Sequence, residues 1–512
     1  MVTARSHNGP LQPHAFRLRS TVRRRSSQDP GIPVRFHSVV QTVRWQSGRT
    51  DPPNVYRNSE VVRLSRKPGR SNGTDRQILA LALPALGALV AEPLFLLADS
   101  AIVGRLGTTE LAGLGIAAGI LTTAVYIFVF LAYGTTSSVA RLMGAGERTR
   151  AIAIGMDAAW LALGIGLAVA VLGYLVAPYA VDLVGAAGAE PGVRDAAIVY
   201  LRWALPGVPA MLIVLALVGV LRGLQNTRVT LWIAVSGAVL NAVLNLLLVH
   251  GVGWGIAGSA IGTTITQCGM AVAAIGYVVG DARRAGVSLK PHLAGVRLAG
   301  RTGVPLLIRT GAMRMLLLLT TGVAAGFGAP ALAAHQVALN VWNLLALGLD
   351  ALAIAGQALT GTALGAGDVQ GVREATARMV RWGIGAGVLF AGVLLLCAGL
   401  LGPLFSDDPQ VRTALTGALV VAALTQPVAG YVFVLDGVLI GAGDGRFLAY
   451  AAVAQTALYA PAAIAIGLWG PDGKAGLVWL WVAFAGGWMV VRAVVLRRRE
   501  RGDQWLVTGA YR

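Results

Sequence analysis

The chain has 512 residues, of which 56% are hydrophobic and 13% charged, with a net charge of +19 and a mean hydropathy of +0.68. A soluble domain carries about 25% charged residues, and apolar runs of roughly 20 residues, enough to cross a bilayer, recur along most of this chain. Those figures exclude a soluble globular protein. The 67 glycines suit close packing of helices in lipid. Cys268 and Cys397 lie far apart in separate apolar runs and read as two inert buried thiols rather than a disulfide.

The charge is uneven. Residues 1–75 hold 14 Lys and Arg against 4 acids, including Arg23, Arg24 and Arg25. No hydrophobic core of a signal peptide follows those charges. The stretch reads as a disordered basic tail, or as a translated leader ahead of the true start. Few aromatics and no periodicity support nucleic-acid binding.

From Ile78 twelve apolar segments follow, at about 78–103, 111–140, 152–177, 196–221, 229–249, 256–280, 302–326, 331–364, 379–402, 411–440, 447–469 and 475–496. The eighth is long enough to extend past the membrane into the interface. One alternate set of connecting loops carries 14 Lys and Arg and the other carries 4. By the positive-inside rule the first set, and both basic termini, belong on the cytoplasmic side.

The two halves match. Pro84 recurs as Pro305, and Leu142–Glu147 as Ala363–Asp368, both at an offset of 221. Gly219–Gly223 recurs as Gly437–Gly441, and Pro209 as Pro427, both at 218. An even number of helices per repeat means that both halves enter from one side, related by an axis along the membrane normal. The expected fold is all-α and integral to the membrane: twelve transmembrane helices in two six-helix bundles. The expected organisation is a tail to 75, a first lobe over 76–280, a linker over 281–301, a second lobe over 302–500 and a tail over 501–512. Two such bundles enclose a central cleft, which is a transporter architecture.

The ionisable residues inside the segments are the candidate functional groups, because a charge at membrane depth is costly and is kept for use. The first segment carries Glu92, Pro93 and Asp99. Asn241 and Asn245, spaced i, i+4, share one face of the fifth. Thr263 lies on the sixth, Asp350 on the eighth and Asp436 on the tenth. Arg309 and Arg314 on the seventh read as the only mid-helix arginines and as the obvious countercharges. His335 is expected near the outer surface. By the repeat, Asp99 maps to Thr320, Asp350 to Val129 and Asp436 to Val218, so no acid is duplicated. Pro84, which is repeated, and Pro93, which is not, are the expected hinges.

Several motifs resemble the multidrug and toxic compound extrusion (MATE) transporters, most closely their DinF-like branch. They are LALP at 81–84, LADSAIVGRLGTTELAG at 97–113, GAGE at 144–147, the pair Asn241 and Asn245, and DGVLIGAGD at 436–444. The resemblance covers about residues 76 to 500. It implies a secondary antiporter that expels amphiphilic, cationic or neutral compounds in exchange for H⁺, with Na⁺ as the alternative ion. It places cation coupling at Asp99, with Asn241, Asn245 and Thr263 beside it, and gives Asp350 and Asp436 as acids of the second lobe. Glu92 has no counterpart. Many relatives carry an aspartate where this chain has Asn245, which weakens a Na⁺ site at Asp99. No cofactor is implied. The expected partners are a small molecule and the bilayer, with no nucleic acid. The expected state is a monomer in the cell membrane. A lipid or lipid-linked oligosaccharide flippase of the same superfamily is the second reading. Such proteins line the cavity with arginines, and here acids outnumber them. A membrane enzyme is the remote third: the chain has no zinc motif, no nucleophile elbow and no Walker motif.

Overall fold

The computed structural model describes residues 71–184 and 192–510, and all secondary structure among them is helical. The tail reading for the first 70 residues lies outside the described residues. Twelve helices are long and apolar enough to cross a membrane. They are α1 (Ser71–Val103), α2 (Thr108–Gly144), α3 (Arg148–Leu183), α4 (Val193–Gly223), α5 (Thr227–Gly251), α6 (Gly255–Arg284), α7 (Leu293–Gly326), α8 (Ala329–Gly365), α9 (Val369–Phe405), α10 (Pro409–Gly441), α11 (Gly445–Trp469) and α12 (Gly473–Arg501). In lipid a helix satisfies its backbone internally, which is why the apolar runs take this form. The helices outrun those runs. α6 continues to Arg284 and α7 begins at Leu293, so the non-helical part of the expected linker is only residues 285–292.

α1 is continuous through Pro84 and Pro93. α2 is interrupted at Phe128 and Val129, and α4 tightens to a 3₁₀ turn over Leu205–Gly207. α5 ends in a π-turn over Leu246–Gly251, and α12 contains one over Val482–Trp488. Such turns mark places where the hydrogen-bond ladder has been adjusted.

The sequence repeat is a repeat of contacts. α4 crosses α2 so closely that a Cβ on Gly219 would lie 2.5 Å from the Ala132 carbonyl oxygen, and α10 crosses α8 with Gly437 2.4 Å from that of Ala353. One turn on, Gly223 meets Thr136 as Gly441 meets Gln357, and elsewhere Gly166 meets Pro209 as Gly387 meets Pro427. Each pair is related by the spacing found in the sequence. The two bundles meet in the same way: a Cβ on Gly144 would lie 1.9 Å from the Thr362 carbonyl oxygen, and one on Gly365 1.9 Å from that of Arg141. This reciprocal contact lies on the pseudo-two-fold axis, at the end of the molecule that carries the arginine-rich loops.

That basic end is closed. Gln225 donates to Thr362 across the bundles at 3.1 Å, and Asp75 at the start of α1 pairs with Arg378 of α9 and accepts from Trp382 at 2.9 Å. The C-terminal stretch crosses the same junction. The buried Arg141 of α2 donates to the carbonyls of Val507, Gly509 and Ala442 at 2.6, 3.0 and 2.9 Å, and Gly509 N–H donates to Leu364. Trp505 is fully buried. Within the tail expected over 501–512, Trp505, Val507 and Gly509 are thus held against the junction. Toward the opposite end the bundles part. The Phe130–Gly144 half of α2 packs on α7, α8 and α10, whereas its Thr108–Ile127 half packs on α4 and meets the second bundle through α7. The space between is the cleft.

The cysteines are both free, but Cys268 is exposed and Cys397 half-buried. An apolar run does not imply burial in a membrane helix, because the lipid-facing side is as apolar as the core.

Candidate functional site

Asp99 stands one turn before the end of α1 and is 1% exposed. Its carboxylate accepts from Ser259 Oγ of α6 at 2.7 Å, from Tyr200 OH of α4 at 3.2 Å and from the Asn245 side-chain amide of α5. Asn245 also donates to Asn241 Oδ1 at 3.2 Å, and Asn241 donates to Thr263 Oγ1 at 3.2 Å. The geometry follows from two antiparallel helices that each carry a polar i, i+4 pair. Asn241 and Asn245 on α5 face Thr263 and Ser259 on α6. Gly262 makes the fit possible, because a Cβ there would lie 2.2 Å from Asn245 Oδ1. The π-turn of α5 starts directly after Asn245.

The residues expected at the coupling site, Asp99, Asn241, Asn245 and Thr263, thus form one hydrogen-bonded chain. Sequence reasoning missed Ser259 and Tyr200. The i, i+4 spacing of Ser259 to Thr263 was a usable signal; nothing local marks Tyr200. Every donor to Asp99 is neutral. Among the described residues no group of three or more His, Cys, Asp or Glu stands together as a metal site. The second bundle carries Thr320 at the place of Asp99, and Thr320 bonds Tyr459 OH at 2.8 Å. Tyr459 occupies the place of Asn241, so the repeated site is neutral.

The second group of charges lies around the cleft. Asp436 of α10 is buried and paired with two buried arginines, Arg309 of α7 and Arg492 of α12, the latter at 3.0 Å. Arg492 also lies 4.8 Å over the Trp488 ring, at the close of the α12 π-turn. Arg314 does not serve as the expected countercharge. It lies 3.9 Å over the Tyr126 ring of α2. Asp350 of α8 is half-buried, within electrostatic range of Arg309, Arg222, Arg492 and Asp436. Glu92 is exposed, near Tyr126, and does not join the Asp99 network. A spacing of seven keeps the two acids on one face but about 10 Å apart along the axis. His335, in the second turn of α8, is 1% exposed, bonded to Thr321 and packed against Trp481.

The reading of Arg309 and Arg314 as the only mid-helix arginines is corrected by Arg492, which lies within α12, and a further arginine, Arg222, is buried at the end of α4. Arg222 and Arg492 are 8% and 5% exposed and belong to the same region. They stand near the ends of their apolar runs, where sequence reads a side chain as loop or interface; α12 runs on to Arg501 past Arg492, whereas Arg222 is buried from the last turn of α4.

Two pseudo-symmetric bundles, a cleft open toward one end and a buried carboxylate network beside it are the architecture of a polytopic membrane transporter. The sequence model of the MatE family matches residues 84–247 and again 305–464, so the chain belongs to the MATE family. The matches begin at Pro84 and at its repeat, Pro305. Protein DETOXIFICATION 44, chloroplastic, of Arabidopsis thaliana is 33% identical over 74% of this chain and 74% of its own length. The DNA damage-inducible protein F of Escherichia coli is 27% identical over 72% of this chain and 81% of its own. A MATE transporter of Vibrio cholerae has the same fold, with a TM-score of 0.75 at 20% identity over 85% of this chain and 98% of that one.

Proposed function

We propose that the protein is a secondary active antiporter of the cell membrane that exports an amphiphilic small molecule in exchange for H⁺ by alternating access. In this reading it acts as a monomer with both termini in the cytoplasm. The observation that carries the reading is the shell of Asp99: a buried carboxylate held by neutral donors only. No fixed cation locks it, so it is free to exchange a proton as the cleft opens to either side. Asn245, Asn241 and Thr263 hold its geometry, and α1 bends at Pro84 and Pro93 when the proton binds. Na⁺ is the alternative ion, and one carboxylate among amides and hydroxyls is a thin ligand set for it. Asp436 is a structural lock in this scheme, because two arginines already claim it. The count of acids over arginines was one support for a cationic or neutral cargo, beside the family resemblance, and the buried Arg222 and Arg492 remove that one support.

Transport in proteoliposomes, with H⁺ and Na⁺ gradients imposed separately, tests the proposal. Efflux should follow the pH gradient and stop in Asp99→Asn. Transport by Asp99→Asn at the wild-type rate would remove Asp99 from the mechanism, and efflux that follows Na⁺ and ignores pH would replace the ion.

A further inference from the structure

Arg222 stands on the last turn of α4, 8% exposed. It makes no ion pair or side-chain hydrogen bond among the described residues, and its Nε is buried without an acceptor. The charged or ionisable groups within its range are Tyr133 and Asp350. Arg309 and Arg314 also leave a buried Nε without an acceptor. Three guanidinium groups around one cleft therefore hold N–H donors that the protein does not satisfy. Arginine does not escape the cost by losing its proton, and a buried charge is kept only with a counter-charge.

The resident carboxylates do not supply enough. Asp436 is already committed to Arg309 and Arg492. Glu92 is exposed beside Tyr126. Asp350 lies within electrostatic range of Arg222 and Arg309 but hydrogen-bonds neither. Beside these groups stands an aromatic wall: Tyr126 is 42% exposed, with Arg314 over its ring.

We infer that the cleft binds a molecule carrying a carboxylate or phosphate, with Arg222 taking the oxyanion, Tyr126 and Tyr133 taking an apolar or aromatic body, and Asp350 acting as the counter-charge that the oxyanion displaces. This deepens the antiporter reading and rests on it for the direction of transport. Guanidinium forks match the planar geometry of such oxyanions. The inference gives Arg222 and Asp350 opposite roles. Removing the arginine weakens anion binding, and neutralising the aspartate strengthens it.

The test is equilibrium binding to the purified full chain in nanodiscs without any gradient, with 1-naphthoate, 1-naphthylmethylammonium and inorganic pyrophosphate as soluble probes. A fourth arm uses nanodiscs doped with a polyprenyl pyrophosphate. Wild type should bind naphthoate saturably, Arg222→Gln at least tenfold more weakly, Arg222→Lys in between and Asp350→Asn more tightly. The ammonium probe should not show this order. Saturation by the polyprenyl pyrophosphate alone, lost in Arg222→Gln, would retain the site and assign its oxyanion to a lipid headgroup. If Arg222→Gln does not fold, Arg222→Lys and Asp350→Asn still move affinity in opposite directions. Preference for the ammonium, or equal weakening in the Arg222 and Asp350 variants as a structural pair would give, overturns the inference. Failure here leaves proton exchange standing, and pH-independent efflux would remove proton exchange while leaving the binding site.

Discussion

At the scale of single residues, the donors to Asp99 differ in what they contribute. Ser259 bonds it at 2.7 Å and Tyr200 at 3.2 Å, and both are buried. A hydrogen bond to a charged group is worth about 1.5–3 kcal/mol, so Ser259→Ala should lower pH-driven efflux by about tenfold or more, and Tyr200→Phe by less. Efflux assays on both variants at matched expression check this, and wild-type rates in both would detach the shell from coupling. Gly262→Ala is the sharper test. Its Cβ would stand 2.2 Å from Asn245 Oδ1, so Asn245 must leave Asp99. Loss of transport in a protein that still elutes as a monodisperse peak is expected. Asn241 and Asn245 were legible in the sequence because i, i+4 spacing is a property of one helix. Tyr200 was not, because its approach to Asp99 depends on how α4 crosses α1 and α6. Arg492 was hidden for the same reason: its partner Asp436 lies 56 residues away on another helix.

At the scale of elements, glycine sets the crossings. A Cβ on Gly144 meets a backbone oxygen that has no rotamer to yield, so α2 and α8 must separate. Overpacking of this kind costs about 1–3 kcal/mol. Thermal unfolding in detergent should show Gly144→Ala destabilised and Gly385→Ala, which opens onto free space, unchanged. The C-terminal stretch is the other element whose role came from packing. Ending the chain after Gly502 removes the Val507 and Gly509 carbonyls and leaves the buried Arg141 short of acceptors. A lower melting temperature is expected, together with faster labelling of a cysteine placed at Gln225, which bonds Thr362 across the bundles. No change in either would show that this stretch rides on the junction without holding it shut.

At the scale of the whole molecule, two copies of one six-helix scaffold have been given different interiors. The first bundle buries a carboxylate among neutral donors, and the second buries Thr320 with Tyr459 at the equivalent place and an arginine-locked aspartate elsewhere. In the proposed scheme the proton site lies inside the first bundle, and the cargo site spans the cleft, from Arg222, Tyr126 and Tyr133 of the first bundle to Asp350 of the second. Asp99→Asn should then abolish pH-driven efflux while leaving cargo binding in nanodiscs within about threefold of wild type, a difference of under 1 kcal/mol. Equal loss of both would mean that the proton site and the cargo site are not separated in function.

The sequence by itself determined the twelve spans, the repeat and its axis, the family, and the single-helix faces that carry Asp99, Asn241 and Asn245. Those follow from hydropathy, from internal spacing and from helical period, all local quantities. Only the tertiary structure decided that Ser259 and Tyr200 complete the Asp99 shell, that Arg222 and Arg492 turn inward, that Cys268 faces outward and that Trp505, Val507 and Gly509 are held against the closed end. In a soluble protein the polar face of a helix marks its outside. In a bilayer the outside is as apolar as the core, so period and polarity leave the inward direction open, and the glycine crossings of neighbouring helices fix it.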